Sequence, residues 1–232
     1  MPIYNTSLLT VDTKECRRYA GLMKADFDES VIEDACMEAQ LLAAPKGVYE
    51  IYDYDAANQT VLCEPPFKLE GRLVAKHLRE AEKVILMAVT VGDDIEDHVT
   101  KYFEEGRYAY SVILDAAATT AVEQVADGLE KAVAPKIKKM GYKTRWRFSP
   151  GYGDWPLTCQ PEMVRVSSAE SIGVHLSDAL MLMPRKSVTA IIGLVPESAP
   201  DIPAAEAPTM VHPAQGCAGC NMKKTCASSR ER

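Results

Sequence analysis

The 232-residue sequence predicts an α+β fold with a largely antiparallel sheet, and three observations carry that prediction. Residues 48–54 alternate apolar and charged side chains, Asn58 marks a turn, and 61–63 supply a partner, as in a hairpin. Residues 83–91 are almost continuously apolar, the pattern of a strand covered on both faces. Long stretches of helical periodicity sit between these strands without the regular strand-helix alternation of a parallel sheet.

In chain order, residues 3–9 read as a short edge strand. Asp12 and Thr13 then cap a helix that stops at Gly21. A second helix over 28–44 places Val31, Ile32, Ala35, Ala39 and Leu42 at three- and four-residue steps, and Pro45 closes it. After the hairpin come a short amphipathic helix at 71–79 and the apolar strand. Gly92-Asp-Asp94 punctuates the chain and offers a cap to one broken helix, or two consecutive ones, over 95–139. The middle of that region, Leu114 to Val122, is nearly all small residues, which suits either a close-packed helix pair or the close approach of a ligand. Glu123 follows on the flank of the apolar stripe, beside Thr119, Thr120 and Asp127. Further on, a helix is predicted from Pro161 to Ser171 and a strand over 188–194.

One stretch has the composition of a ligand loop: Arg147-Phe-Ser-Pro-Gly-Tyr-Gly-Asp-Trp-Pro-Leu157. It follows a run whose alternation sets Tyr142, Thr144 and Trp146 on one side and Arg145 and Arg147 on the other. Two prolines stiffen the loop, while Gly151 and Gly153 permit positive φ or close backbone approach. Arg147 can offer a bidentate fork to a carboxylate or phosphate, and Tyr152 and Trp155 can supply flat apolar walls. An ordinary strand, turn and structural tryptophan would have the same composition.

The hydrophobic share of 47% and charged share of 25% are those of a soluble globular protein. A net charge of −7 argues against general nucleic-acid binding, because the one basic run, 136–147, is short. No apolar run approaches the length of a membrane span, and no signal peptide is apparent, so the expected location is cytoplasmic. Beyond Val195, five prolines interleave with Ala, Ser and Glu, predicting a stiff linker over 196–215 and a Cys-rich tail over 216–232.

The tail holds Cys217, Cys220 and Cys226, a Cys-x2-Cys-x5-Cys spacing that reads as metal ligation. An iron-sulfur cluster would take a fourth thiolate from Cys159 or a second chain, or leave one iron open. Zinc would take His212 as its fourth ligand. A tail without metal is the third possibility.

Arg-x-x-Pro-Gly-Tyr, followed by Ile172-Gly-Val-His-Leu-Ser177 and Met183-Pro-Arg-Lys-Ser-Val188, resembles the S-adenosylmethionine-binding activation domain of cobalamin-dependent methionine synthase in order and spacing. The resemblance runs from about residue 115 to 193 and implies a curved sheet with helices. It implies that Arg147 pairs with the methionyl carboxylate, Ser149 and Gly151 contribute backbone contacts, Tyr152 packs on the ligand, and Glu123 contacts or supports its amine. The domain traps reduced cobalt by methyl transfer, so residues 1–195 would form a standalone activator serving a corrinoid protein, with S-adenosylmethionine here and cobalamin on the partner. No general acid or base is required, and no catalytic triad is evident. The family's additional cofactor-contacting tyrosine, downstream of this region, has no counterpart. A docking or electron-transfer module with a vestigial site, or a zinc-stabilised structural protein, would share these features.

Overall fold

The computed structural model describes residues 3–5, 8 and 10–200. The linker beyond Pro200 and the tail cysteines 217, 220 and 226, with His212, lie outside the described residues. The chain begins with β1 (Ile3–Asn5), α1 (Thr13–Tyr19) and α2 (Glu29–Leu42). Asp12 caps α1 by accepting from the Lys14 and Glu15 amides, as the sequence predicts, and Asp28, where the second helix was expected to start, caps α2 by accepting from the Ser30 amide. Then follow β2 (Lys46–Asp55), β3 (Thr60–Val61), β4 (Phe67–Lys68), α3 (Arg72–His77), β5 (Lys83–Thr90), α4 (Asp94–Glu104) and the 32-residue α5 (Tyr108–Lys139). The predicted helical region is therefore two helices, separated where Gly106 takes a φ of +79°. The chain continues through β6 (Tyr142–Thr144), α6 (Gln160–Ser167), β7 (His175–Leu176), β8 (Leu182–Met183) and β9 (Ser187–Pro196). The helix predicted to reach Ser171 ends earlier, at a left-handed Ser168, and a short 3-10 turn replaces its last part.

The main sheet has the order β4-β3-β2-β5-β9-β6, with β1 also on β2, and every recorded pairing is antiparallel. β5 sits between β2 and β9 and is buried along almost its whole length. Its alternate residues serve two cores: Ile85, Met87 and Val89 face α1, α2 and α5, whereas Val84 and Leu86 join Phe148, Trp155 and Met163 on the other face. That division explains the unbroken apolar run.

The small residues of α5 are packing residues. Ala116, Ala117, Ala118, Thr120 and Ala121 are buried against the neighbouring helices and the sheet. The approach is close: a Cβ on Gly47 of β2 would sit 3.3 Å from Leu129 of α5. Of the two remaining motif segments, the second is tied to α4 and α5. The 172–177 segment turns through Gly173 into the β7-β8 hairpin. In the 183–188 segment, Arg185 and the Lys186 amide bind Glu96 of α4 at 2.7 and 2.9 Å, while the Lys186 ammonium reaches Asp115 and Thr119 of α5. No helix of the described residues is long and apolar enough to cross a membrane.

Candidate functional site

The candidate site begins with an irregularity where the chain leaves β6. Thr144 pairs with Leu194, and the Arg145 amide donates to Gly193 O, but Phe148 then pairs with Ile191. Three steps along this strand from Arg145 match two along β9, so one extra residue is accommodated at 146–147. A β-bulge of this kind shifts every later side chain to the opposite face.

The strict alternation expected from the sequence therefore fails at this point. Arg145 lies on the α3 face, bound to Glu80 at 2.6 Å and to Pro200 O at 2.9 Å. Trp146 also turns to that face, its ring 4.7 Å from His77. Arg147 crosses to the α5 face instead.

There the Arg147 guanidinium meets three carboxylates: Nη2 donates to Glu123 at 2.7 Å, and Nη1 to Asp127 at 2.6 Å and Glu130 at 2.5 Å. Positions 123, 127 and 130 recur at four and three residues, so they form one stripe on α5. The arginine side chain is only 6% exposed. Burial acts to lower its pKa, but the charges of Glu130 and Glu123 and the hydrogen bonds it donates to Glu130 and Asp127 outweigh it and raise it. Formally, one positive charge faces three negative ones.

The loop that follows is fixed from within and from α3. The Gly151 amide donates to Trp155 O at 2.8 Å and the Tyr152 amide to Ser149 O at 3.2 Å, so two of the backbone groups expected to meet a ligand are engaged by the loop itself. Gly151 and Gly153 have φ of +87° and +57°, and a Cβ on Gly153 would come within 2.5 Å of Leu73. Asp154 accepts from the Arg72 and Leu73 amides at 2.8 and 3.0 Å. These are the first amides of α3, whose own N-cap residue, Gly71, has no side chain to offer. Those hydrogen bonds hold the Asp154 carboxyl below the usual carboxylate range.

Trp155 is not a ligand wall. It is 1% exposed and packs against Phe148 in the core, because the turn from Gly151 to Trp155 folds the indole inward. Tyr152 does reach the surface, at 47% exposure. Desolvation, and then the Glu123 charge and nearby Tyr19, raise its phenol pKa. Tyr19, at the end of α1, is raised by burial and by Glu123 in turn, and the Arg18 guanidinium lies 3.9 Å over its ring. Gln124 ties α1 to this part of α5 by accepting from the Asp12 amide and donating to Thr10 O, both at 3.0 Å.

Thus Arg147, Glu123 and Tyr152 come together, while Ser149 and Gly151 build the bend that joins them. Sequence reading noted Asp127 only as a neighbour of Glu123 and missed Glu130 and Tyr19. The acidic spacing along one helix was the available signal for Asp127 and Glu130; nothing local marks Tyr19.

Among the described residues no group of three or more His, Cys, Asp or Glu side chains could hold a metal. Cys159, considered above as a fourth cluster ligand, is buried, and its thiol donates to Pro156 O at 2.7 Å. Burial pushes that thiol up to about 11.

No protein-family model matches the chain, and no curated protein matches it. Among solved structures, the crystal structure of the MetH reactivation domain bound to AdoHcy is similar, with a TM-score of 0.59 over 87% of this chain and 81% of that one. The chain has the reactivation-domain fold. At 15% identity the likeness is one of architecture.

Proposed function

We propose that this chain is an S-adenosylmethionine-binding activator that supports reductive methylation of cobalamin carried by a separate corrinoid protein or methyltransferase. The observation carrying the proposal is the Arg147-Glu123 pair, which joins the Pro-Gly-Tyr bend to α5 beside an exposed Tyr152, within a fold shared with a domain solved with AdoHcy. When bound, S-adenosylmethionine supplies the methyl group whose transfer to reduced cobalt makes an unfavourable electron step irreversible.

The chain's own task is then to bind and orient. Tyr152 offers an exposed aromatic face. Glu123 offers a carboxylate to the amine. Arg147 uses three of its five N–H donors on α5, so its fork is preset in position, and its engagement of the methionyl carboxylate competes with an existing ion pair. The fit to the amino-acid end of the ligand thus rests on carboxylates as much as on the guanidinium.

Calorimetric titration with S-adenosylmethionine tests this reading: the wild type is expected to bind, and Arg147→Ala to bind at least about tenfold more weakly, the loss expected for one charge-assisted hydrogen bond. Unchanged affinity in the variant would remove Arg147 from the site. A second reading, a docking or electron-transfer module with a vestigial site, is favoured by the occupation of Arg147 by the chain's own carboxylates; the absence of binding by the wild type would select it. We further propose a cytoplasmic location and metal ligation by Cys217, Cys220 and Cys226, with a tail without metal as the alternative. Iron and sulfide in anaerobically purified protein would assign a cluster, and stoichiometric zinc would replace it.

A further inference from the structure

We infer that this site selects its ligand by positive charge, favouring a sulfonium or ammonium nucleoside over the neutral thioether of the same shape. The inference rests on the S-adenosylmethionine reading above and extends it to specificity. Its basis is an imbalance that ligand recognition by arginine alone would not need. A single guanidinium on the α5 face is already met by Glu123, Asp127 and Glu130, leaving a formal excess of two negative charges. Those carboxylates keep 22, 35 and 20% side-chain exposure, and the charge of Glu123 acts on Tyr152, which stands at the surface.

The second element is aromatic. Tyr152 from the bend and Tyr19 from α1 both lie within the influence of the Glu123 charge. The Tyr19 ring already carries a cation, the Arg18 guanidinium, whose charge Glu15 balances at 2.8 Å. Aromatic faces beside carboxylates are the chemistry that holds soft onium cations, because the ring quadrupole and the anion act in the same direction. A methyl sulfonium, or an amine in its place, adds one positive charge to an otherwise identical ligand. In partly solvated surroundings that charge is expected to shift affinity by about tenfold.

The experiment compares three compounds on the full chain by calorimetry: S-adenosylmethionine, its thioether product S-adenosylhomocysteine, and an analogue with a protonated amine in place of the sulfonium. The expected result is that both charged compounds bind about tenfold more tightly than the thioether. The gap should narrow in Glu123→Gln and shrink from low to molar salt, where screening is nearly complete over the distances involved. The salt series uses the wild type alone, so it decides the question even if the variant folds poorly. Equal affinity for charged and neutral compounds, or a gap insensitive to salt, overturns the inference and leaves the binding reading standing. Failure of all three compounds to bind overturns both.

Discussion

Arg145 and Arg147 stand two residues apart on one strand, and a regular strand would give them the same environment. They have opposite ones. Arg145 is held on the α3 face by one carboxylate, Glu80, and one carbonyl, in the neighbourhood of the buried His77. Arg147 is held on the α5 face by three carboxylates. A single inserted residue produces the difference, and bulges are often used to re-aim a side chain beside a functional site. The face an arginine takes, rather than its presence, separates a structural tie from a candidate ligand group.

The largest expected effect is on the Arg147 side of this comparison. Arg147→Ala leaves three carboxylates facing one another, and breaking a buried pair of this kind costs about 3 kcal/mol. Arg145→Ala removes one ion pair and is expected to cost less. Urea denaturation of the two variants measures the order directly; a larger loss for Arg145 would mean that charge number does not govern the contrast.

His77 tests whether the Arg145 face is as dry as its burial indicates. Its Nε2–H donates to Trp146 O at 2.8 Å, and its pKa falls to about 4, chiefly through burial. The unfolded imidazole takes its proton near the ordinary value of 6.5, so between about 6.5 and 4 the unfolded state binds the extra proton. Stability is therefore full above pH 6.5 and declines as pH falls through that window, by about 3 kcal/mol in all. His77→Gln should flatten this part of the stability profile. A wild-type profile already flat from pH 6.5 to 4 would show that water reaches the ring.

The smallest expected effect concerns the bend between the two faces. Asp154→Ala removes the cap on α3 and should cost about 1 kcal/mol in thermal or chemical unfolding, the usual value for a lost N-cap. A neutral outcome would mean that Gly153 and Trp155 hold the bend without it.

Much of this architecture was legible in the sequence. The cap Asp12, the start of the second helix at Asp28, the stop at Gly21 and the two-faced strand β5 each follow from residues within a few positions of one another. The α5 stripe was half legible: Glu123 and Asp127 were visible as neighbours, but their convergence on Arg147 depends on which face that arginine takes. The bulge was not legible, because residues 144–148 contain no glycine or proline and continue to alternate as a strand would. Trp155 was misread for a related reason: a proline-glycine bend does not reveal which of its aromatics turns inward. The Asp154 cap joins residues 82 apart and leaves no local trace beyond Gly71, a helix start without a side chain.

That long-range cap gives the molecule a built-in reporter. Because the same carboxylate belongs to the bend and closes the first turn of α3, any motion of the bend on meeting a ligand or partner must loosen or tighten the Arg72 and Leu73 amides. Hydrogen exchange at those two positions, on the far side of the sheet from α5, would register events at Tyr152 without a probe being placed beside it.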